Sequence, residues 1–162
     1  MKIGVLSDTH DRHDMVALAL QALKAEGAEL LLHCGDITSV DTVRLFEGDT
    51  IHFVYGNCDY DHKTLTAAIG EVGGEVHDPF GSLEFDGRKI AWSHGHRPEV
   101  VRELINSGDY DFVFHGHTHV VRKEVIGSTT VINPGALHRA APKTCGVLDT
   151  ESGEWELLTV AS

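Results

Sequence analysis

Residues 2–10, KIGVLSDTH, join an apolar run of buried-strand length to three polar residues, Asp8, Thr9 and His10. The next stretch, DMVALALQALKAEGAE at 14–29, spaces its apolar residues for a helix and puts Gly27 where a helix C-terminus is expected. ELLLH at 29–33 is a second apolar run, so the first 33 residues predict a β-α-β unit with a parallel strand pair.

Working outward, TIHFVYG at 50–56 predicts a third strand, and DTVRLFEG at 41–48 and KTLTAAIGEVGG at 63–74 predict two helices around it. The second half changes character. GSLEFDGRKIAWSHG predicts two strands joined by a turn at Asp86-Gly87, and EVVRELINSGDY predicts one more helix. VVRKEVIGSTTVIN turns near Gly127-Ser128 and TCGVLDTESGEWELLTV near Ser152-Gly153, so short antiparallel strands are expected to dominate here. The expected fold is α/β, two packed mixed β-sheets flanked by helices. No repeat or Pro- or Ser-rich linker interrupts the chain, and residues 1–162 are expected to form a single domain.

Composition narrows the function. With 41% hydrophobic and 23% charged residues and no long apolar run, the chain reads as a soluble globular protein away from membranes. Met1 leads straight into a strand-like segment with no basic and apolar leader, so a cytoplasmic location is expected. Cys34, Cys58 and Cys145 are odd in number and widely spaced, which fits reduced thiols better than disulfides or a cysteine zinc site. A formal net charge of -12 leaves no basic stripe for a phosphate backbone and argues against strong nucleic-acid binding.

The polar residues gather past the strands: SDTH, CGDI, YGNCD, SHGH and HGHTH each follow an apolar run. In open α/β sheets, loops at the carboxyl ends of strands converge on one crevice. Asp8 and His10, and His117 and His119, are two apart, a spacing that in extended chain shares one face. Gly35, Gly56, Gly95 and Gly116 sit beside them, where a missing side chain permits close approach. Asp8, Asp36 and Asn57 with His10, His94, His117 and His119 make a mixed oxygen and nitrogen donor set. Such a set suits Mn, Fe, Zn, Co or Ni better than Mg or Ca, and seven donors with one shared carboxylate suit two metals. His13, His52, His62 and His77 read as ordinary surface or half-buried residues, and His33 and His115 as supports beside the ligand loops.

The ordered series Asp8-Thr9-His10, Gly35-Asp36, Gly56-Asn57, His94 and Gly116-His117-Thr118-His119 resembles the calcineurin-like binuclear metallophosphoesterases. The small size, GNCD at 56–59 and INPGA at 132–136 resemble the YfcE-type small phosphodiesterases in particular. The resemblance implies a four-layer αββα sandwich and a metal-dependent phosphodiesterase in which a metal-bridging hydroxide attacks a small phosphoester. Its cofactors would be two divalent transition-metal ions, Mn foremost, with Ni, Fe, Zn or Co as the other candidates. One metal would be held by Asp8, His10, Asp36 and His119, the other by Asp36, Asn57, His94 and His117. Asn57 would also touch the phosphate. Larger relatives carry His after that Asn, whereas here the residue is Cys58, and a thiol is a poor acid for a leaving oxygen. His96 is the candidate to compensate and Asp59 the candidate to orient a neighbour. Asn133-Pro134-Gly135 reads as a turn bracing the metal loops, and Arg139 as a surface residue rather than a phosphate clamp. The resemblance alone also implies association into a homo-oligomer. The same site could serve a phosphomonoester or nucleotide, and a related fold serves as a protein-binding scaffold, so fold alone does not fix catalysis.

Overall fold

The computed structural model describes residues 1–162. In the first half, strands β1 (Lys2–Leu6), β2 (Leu30–His33), β3 (Ile51–Val54) and β4 (Glu75–His77) alternate with helices α1 (His13–Ala25), α2 (Val40–Arg44) and α3 (His62–Glu71). The four strands lie side by side in parallel. The hairpin of β10 (Lys143–Asp149) and β11 (Trp155–Ala161) adds to β1 antiparallel, completing a six-stranded sheet ordered β11-β10-β1-β2-β3-β4. The second sheet has five strands: β5 (Gly81–Phe85), β6 (Arg88–Trp92), β7 (Phe112–Phe114), β8 (Arg122–Ile126) and β9 (Thr129–Asn133), ordered β5-β6-β7-β9-β8. Helix α4 (Pro98–Asn106) joins β6 to β7.

Alternation along the strands explains the four layers. Ile3, Val5, Leu30, Leu32 and Val54 of the first sheet meet Ile90, Trp92, Phe112, Phe114 and Ile132 of the second in one core between the sheets. The intervening side chains turn outward: Leu6, Leu31, Ile51 and Phe53 pack with Val16, Leu20, Leu23 of α1 and Leu65 and Ile69 of α3. On the far side, Ala91 and Val113 pack with Val101 and Leu104 of α4. Strands covered on both faces must be apolar at every position, which is why β2 reads as the unbroken run Leu-Leu-Leu. No helix is long and apolar enough to cross a membrane.

Two details differ from the sequence expectations. Hairpins do build the second half, and Asp86 (φ 54°) and Gly87 (φ 76°) give the β5–β6 turn the left-handed pair that short hairpins favour. Yet β7 pairs in parallel with both β6 and β9, so the centre of the second sheet is parallel. Helix α4 carries the chain back across the sheet before β7, as a parallel connection requires. Strand β4, at the edge of the first sheet, has three residues and escapes a pattern that looks for longer runs.

Candidate metal centre

The residues past β1, β2, β3, β6 and β7 converge at one end of the sandwich. Asp8 Oδ1 lies 3.3 Å from His119 Nε2, 3.7 Å from His10 Nε2 and 3.9 Å from His94 Nε2. Asp36 Oδ2 lies 3.2 Å from His10 Nε2 on one side and 3.3 Å from His94 Nε2 on the other. Asn57 Oδ1 is 3.1 Å from both His94 Nε2 and His117 Nδ1. All seven side chains singled out from sequence therefore gather in one place, in two overlapping groups that meet at Asp36.

The chain reaches this arrangement differently from the expected strand alternation. Asp8, His10, Asp36, His117 and His119 have φ of 54°, 41°, 60°, 71° and 62°. Left-handed backbone is uncommon for residues other than glycine and costs energy, so it persists where surrounding contacts impose it. His117 and His119 do not share a face. His117 turns to Asn57 and His119 to Asp8. Glycine makes the close approaches possible: a Cβ on Gly56 would overlap the Asp36 carboxylate, and one on Gly116 would overlap Ser7 Oγ and stand 2.5 Å from Asp8 Oδ2.

Several residues hold the loops without entering the cleft. Asp59 is buried, and its two oxygens accept the backbone N–H groups of Gly56 and Asp36 (2.8 Å each), Ile37 (2.8 Å) and Thr38 (2.7 Å). It ties the Asp36 loop to the Asn57 loop from behind. Burial lifts its pKa against those donors. His33 accepts from Gly35 N at Nδ1 (3.1 Å), so its proton is on Nε2 and faces Thr9 Oγ1 at 3.1 Å. Full burial drives the His33 pKa down to about 3 and keeps the ring neutral. Asn133 donates to Gly116 O (3.1 Å) and Thr118 Oγ1 (3.0 Å) and accepts from Gly135 N (2.9 Å), bracing the His117 loop. His115 lies between Gly116 O and Arg122 Nη1, so it supports backbone rather than a ligand ring.

The donor atoms are arranged to face positive charge. His94 Nδ1 donates to Cys34 O at 2.7 Å, which leaves the Nε2 lone pair of a neutral ring pointing at oxygens of Asn57, Asp36 and Asp8. Nitrogen and oxygen lone pairs meet this way only around a proton or a cation. Burial works to lower the His94 pKa, but Asp36 and then Asp8 outweigh it and raise it. His10 is raised to about 9, first by Asp36 and then by Asp8. Burial works to raise the pKa of Asp8 and of Asp36, yet His10 with His119, and His10 with His94, hold both carboxyls far below their usual range. Asp8 Oδ1 and His10 Nε2 are buried and make no hydrogen bond. Orphaned donor atoms beside two fixed carboxylates fit divalent metal ions, and the mixed imidazole and carboxylate set fits a transition metal.

The cleft over these groups encloses about 320 Å³ and is lined by His10, Asp36, Asn57, Cys58, His117, His119, His138 and Arg139. Arg139 is exposed, as expected of a surface residue, and also borders the cleft. The His138 ring lies 4.7 Å from that of His10 and 6.2 Å from that of His119. Nothing in the local sequence marked His138, because it reaches the cleft through the turn at Asn133-Pro134-Gly135. His96 lies beside the cleft and does not line it, with its ring 5.4 Å from that of His94 and 6.4 Å from that of His117.

Known proteins share this sequence and fold. A phosphodiesterase of Methanocaldococcus jannaschii is 36% identical over 160 residues, spanning 96% of each chain. A solved archaeal phosphodiesterase superposes with a TM-score of 0.91 at 35% identity, covering 98% of this chain and 99% of the other. Escherichia coli YfcE, a phosphoesterase, shares the fold at 19% identity with a TM-score of 0.70, covering 99% of this chain and all of its own. Entamoeba histolytica Vps29, solved with Zn2+, shares it at 18% identity with the same TM-score over 99% of each chain. Residues 1–153 match the calcineurin-like phosphoesterase superfamily domain, and the chain belongs to that family.

Proposed function

We propose that residues 1–162 act as one domain, a cytoplasmic phosphodiesterase that holds two divalent transition-metal ions and hydrolyses a small phosphoester. The observation that carries this reading is Asp36, whose Oδ2 stands 3.2 Å from His10 and 3.3 Å from His94 and so belongs to two donor groups at once. Asp8, His10, His119 and Asp36 would hold one ion, and Asp36, Asn57, His94 and His117 the other. Mn is the first choice, with Ni, Fe, Zn and Co as competitors that the same donors accept. When bound, such a pair supplies Lewis acidity that acidifies water near neutral pH and offsets charge on a phosphoryl group. The diester preference rests on the name of the Methanocaldococcus jannaschii relative.

The chain's own residues then have separable tasks. Asn57 adds an oxygen donor without adding negative charge, and its Nδ2, whose protein neighbour is Cys58 Sγ at 3.6 Å, is available to a phosphoryl oxygen. Arg139 brings a planar fork of donors to the rim of the cleft, suited to a phosphate. Asp59 is a positioning residue, because its four N–H bonds leave it no reach into the cleft. Cys58 is a weak proton donor, its pKa raised by burial and then by Asp36, so esters with good leaving groups should turn over fastest. His96, beside the cleft at 5.4 Å from the His94 ring, is the imidazole assigned to protonate a poor leaving group, and His96→Ala should slow unactivated esters more than activated ones.

The test is hydrolysis of bis-p-nitrophenyl phosphate by chelator-stripped protein reloaded with Mn2+, beside Asn57→Ala. Turnover that returns with metal and falls about a hundredfold in the variant is expected. Equal inactivity of both proteins with metal bound would reject the enzyme reading, and faster hydrolysis of p-nitrophenyl phosphate would replace diester by monoester.

A further inference from the structure

A second imidazole and carboxylate cluster lies away from the cleft, at the edge of the first sheet. His52 on β3 pairs in register with Glu75 on β4, and Val54 with His77. The pleat sends His52, Glu75 and His77 to one face, because Phe53 and Val76 turn to the opposite core. His52 Nδ1 lies 3.0 Å from His77 Nε2, and Glu75 Oε2 lies 3.7 Å from the first and 3.8 Å from the second. The rings stack at 5.2 Å, and the Trp92 indole meets them edge-on from the second sheet at 6.1 and 5.3 Å.

We propose that His52, Glu75 and His77 form a third metal site, separate from the binuclear centre, that takes a late first-row divalent ion, Zn2+ foremost. The triangle of donor atoms has a centre roughly 2.1 Å from each, the bond length of Zn2+ to imidazole and carboxylate. Two imidazoles and one carboxylate leave the fourth tetrahedral position to water. The ligands come from adjacent strands in regular register, so no backbone rearrangement stands between the free and the bound form. Nor does the sequence spacing resemble a zinc motif, since His52 is 25 residues from His77 and only β pairing joins them.

The ion would fasten the three-residue edge strand β4, which otherwise has one strand partner. It would also act on the chain that leaves β4. Asp78, next to His77, pairs with Arg97 at 3.0 Å, and Pro79 O accepts from Ser93 Oγ at 2.9 Å, so both ends of the segment holding His94 and His96 lean on this connection. Zn2+ at the edge would therefore steady the β6 loop of the active site from outside.

The test is the Zn2+ content of chelator-stripped, refilled protein after removal of free metal, for the full chain, Glu75→Gln and His52→Ala/His77→Ala. The expected result is one equivalent less in the double variant than in the unaltered chain, whatever number the binuclear centre takes. Glu75 is exposed, so Glu75→Gln should fold normally and weaken the lost equivalent at least tenfold. Thermal melting should show a Zn2+-dependent rise in Tm that shrinks in both variants, while Mn2+-dependent phosphodiester hydrolysis is retained. Equal Zn2+ content in all three proteins, or an identical rise in Tm, would overturn the proposal and leave His52 and His77 as a hydrogen-bonded pair. Because the readout is a difference at residues outside the cleft, it stands or falls separately from the phosphodiesterase reading.

Discussion

The two histidine clusters of this chain are built in opposite ways. The cluster in the cleft draws on five loops, holds five of its seven donor residues in left-handed backbone, and buries two carboxylates. The cluster at the edge draws on two paired strands, strains nothing, and leaves Glu75 exposed. Chemistry needs donors aimed at one point from several directions, and regular strands cannot do that. A fastening ion needs only neighbours on one face. Left-handed backbone at the first cluster, and the struts around it, mark where stability has been given up for geometry.

This contrast makes the cleft fragile and the edge tolerant. The largest effect is expected from Asp59→Ala, which strands four backbone N–H groups around the Asp36 loop. At about 1–3 kcal/mol for each unsatisfied buried group, a loss of at least about 3 kcal/mol in urea unfolding should follow, against under about 1 kcal/mol for Glu75→Gln at the edge. Comparable losses for the two would erase the distinction.

Gly56→Ala should cost activity as well as stability, because its Cβ would also stand 2.6 Å from the Asp36 backbone N. Its Cβ would overlap the Asp36 carboxylate, so activity should fall about a hundredfold with the circular dichroism spectrum retained. Unchanged kcat would mean that Asp36 can shift without consequence.

A smaller effect concerns pH. His33 has its folded pKa depressed to about 3 by burial, while the unfolded chain titrates near the ordinary value. Between those limits the unfolded state binds the extra proton, so the His33 contribution is full above about pH 6.5 and is lost as pH falls toward 3. The slope is about 1 kcal/mol per pH unit. Unfolding measured from pH 7 to 5 for the unaltered chain and His33→Asn should differ by that slope, and parallel curves would contradict a neutral buried ring.

The smallest change is Gly70→Ala in α3, where an added Cβ meets nothing within 4 Å. It should stabilise by about 0.5–1 kcal/mol, sharpening the contrast with Gly56.

Much of this was legible in sequence because strand ends carry their polar residues visibly. The runs at 2–6, 30–33 and 51–54 and the residues after them located Asp8, His10, Asp36 and Asn57 without any structure. What escaped depends on contacts distant in the chain. Asp59 was expected to orient a neighbouring side chain, and its role as a strut for backbone N–H groups appears only once the Asp36 loop, 21 to 23 residues earlier, is folded against it. His138 and Arg139 reach the cleft through a turn whose direction the sequence does not encode locally. His52 and His77 looked ordinary because the signal that joins them is strand register. The two-apart spacing of Asp8 and His10 pointed to the right residues for a different reason, since turns rather than pleats bring them together.

The central claim is that Asp36 belongs to both halves of a binuclear centre. Electron paramagnetic resonance of the Mn2+-loaded chain tests it most directly. A spectrum of two exchange-coupled Mn2+ ions, lost in Asp36→Asn while single Mn2+ binding persists, is the predicted result. Signals of isolated Mn2+ at full loading of the unaltered chain would contradict the shared carboxylate.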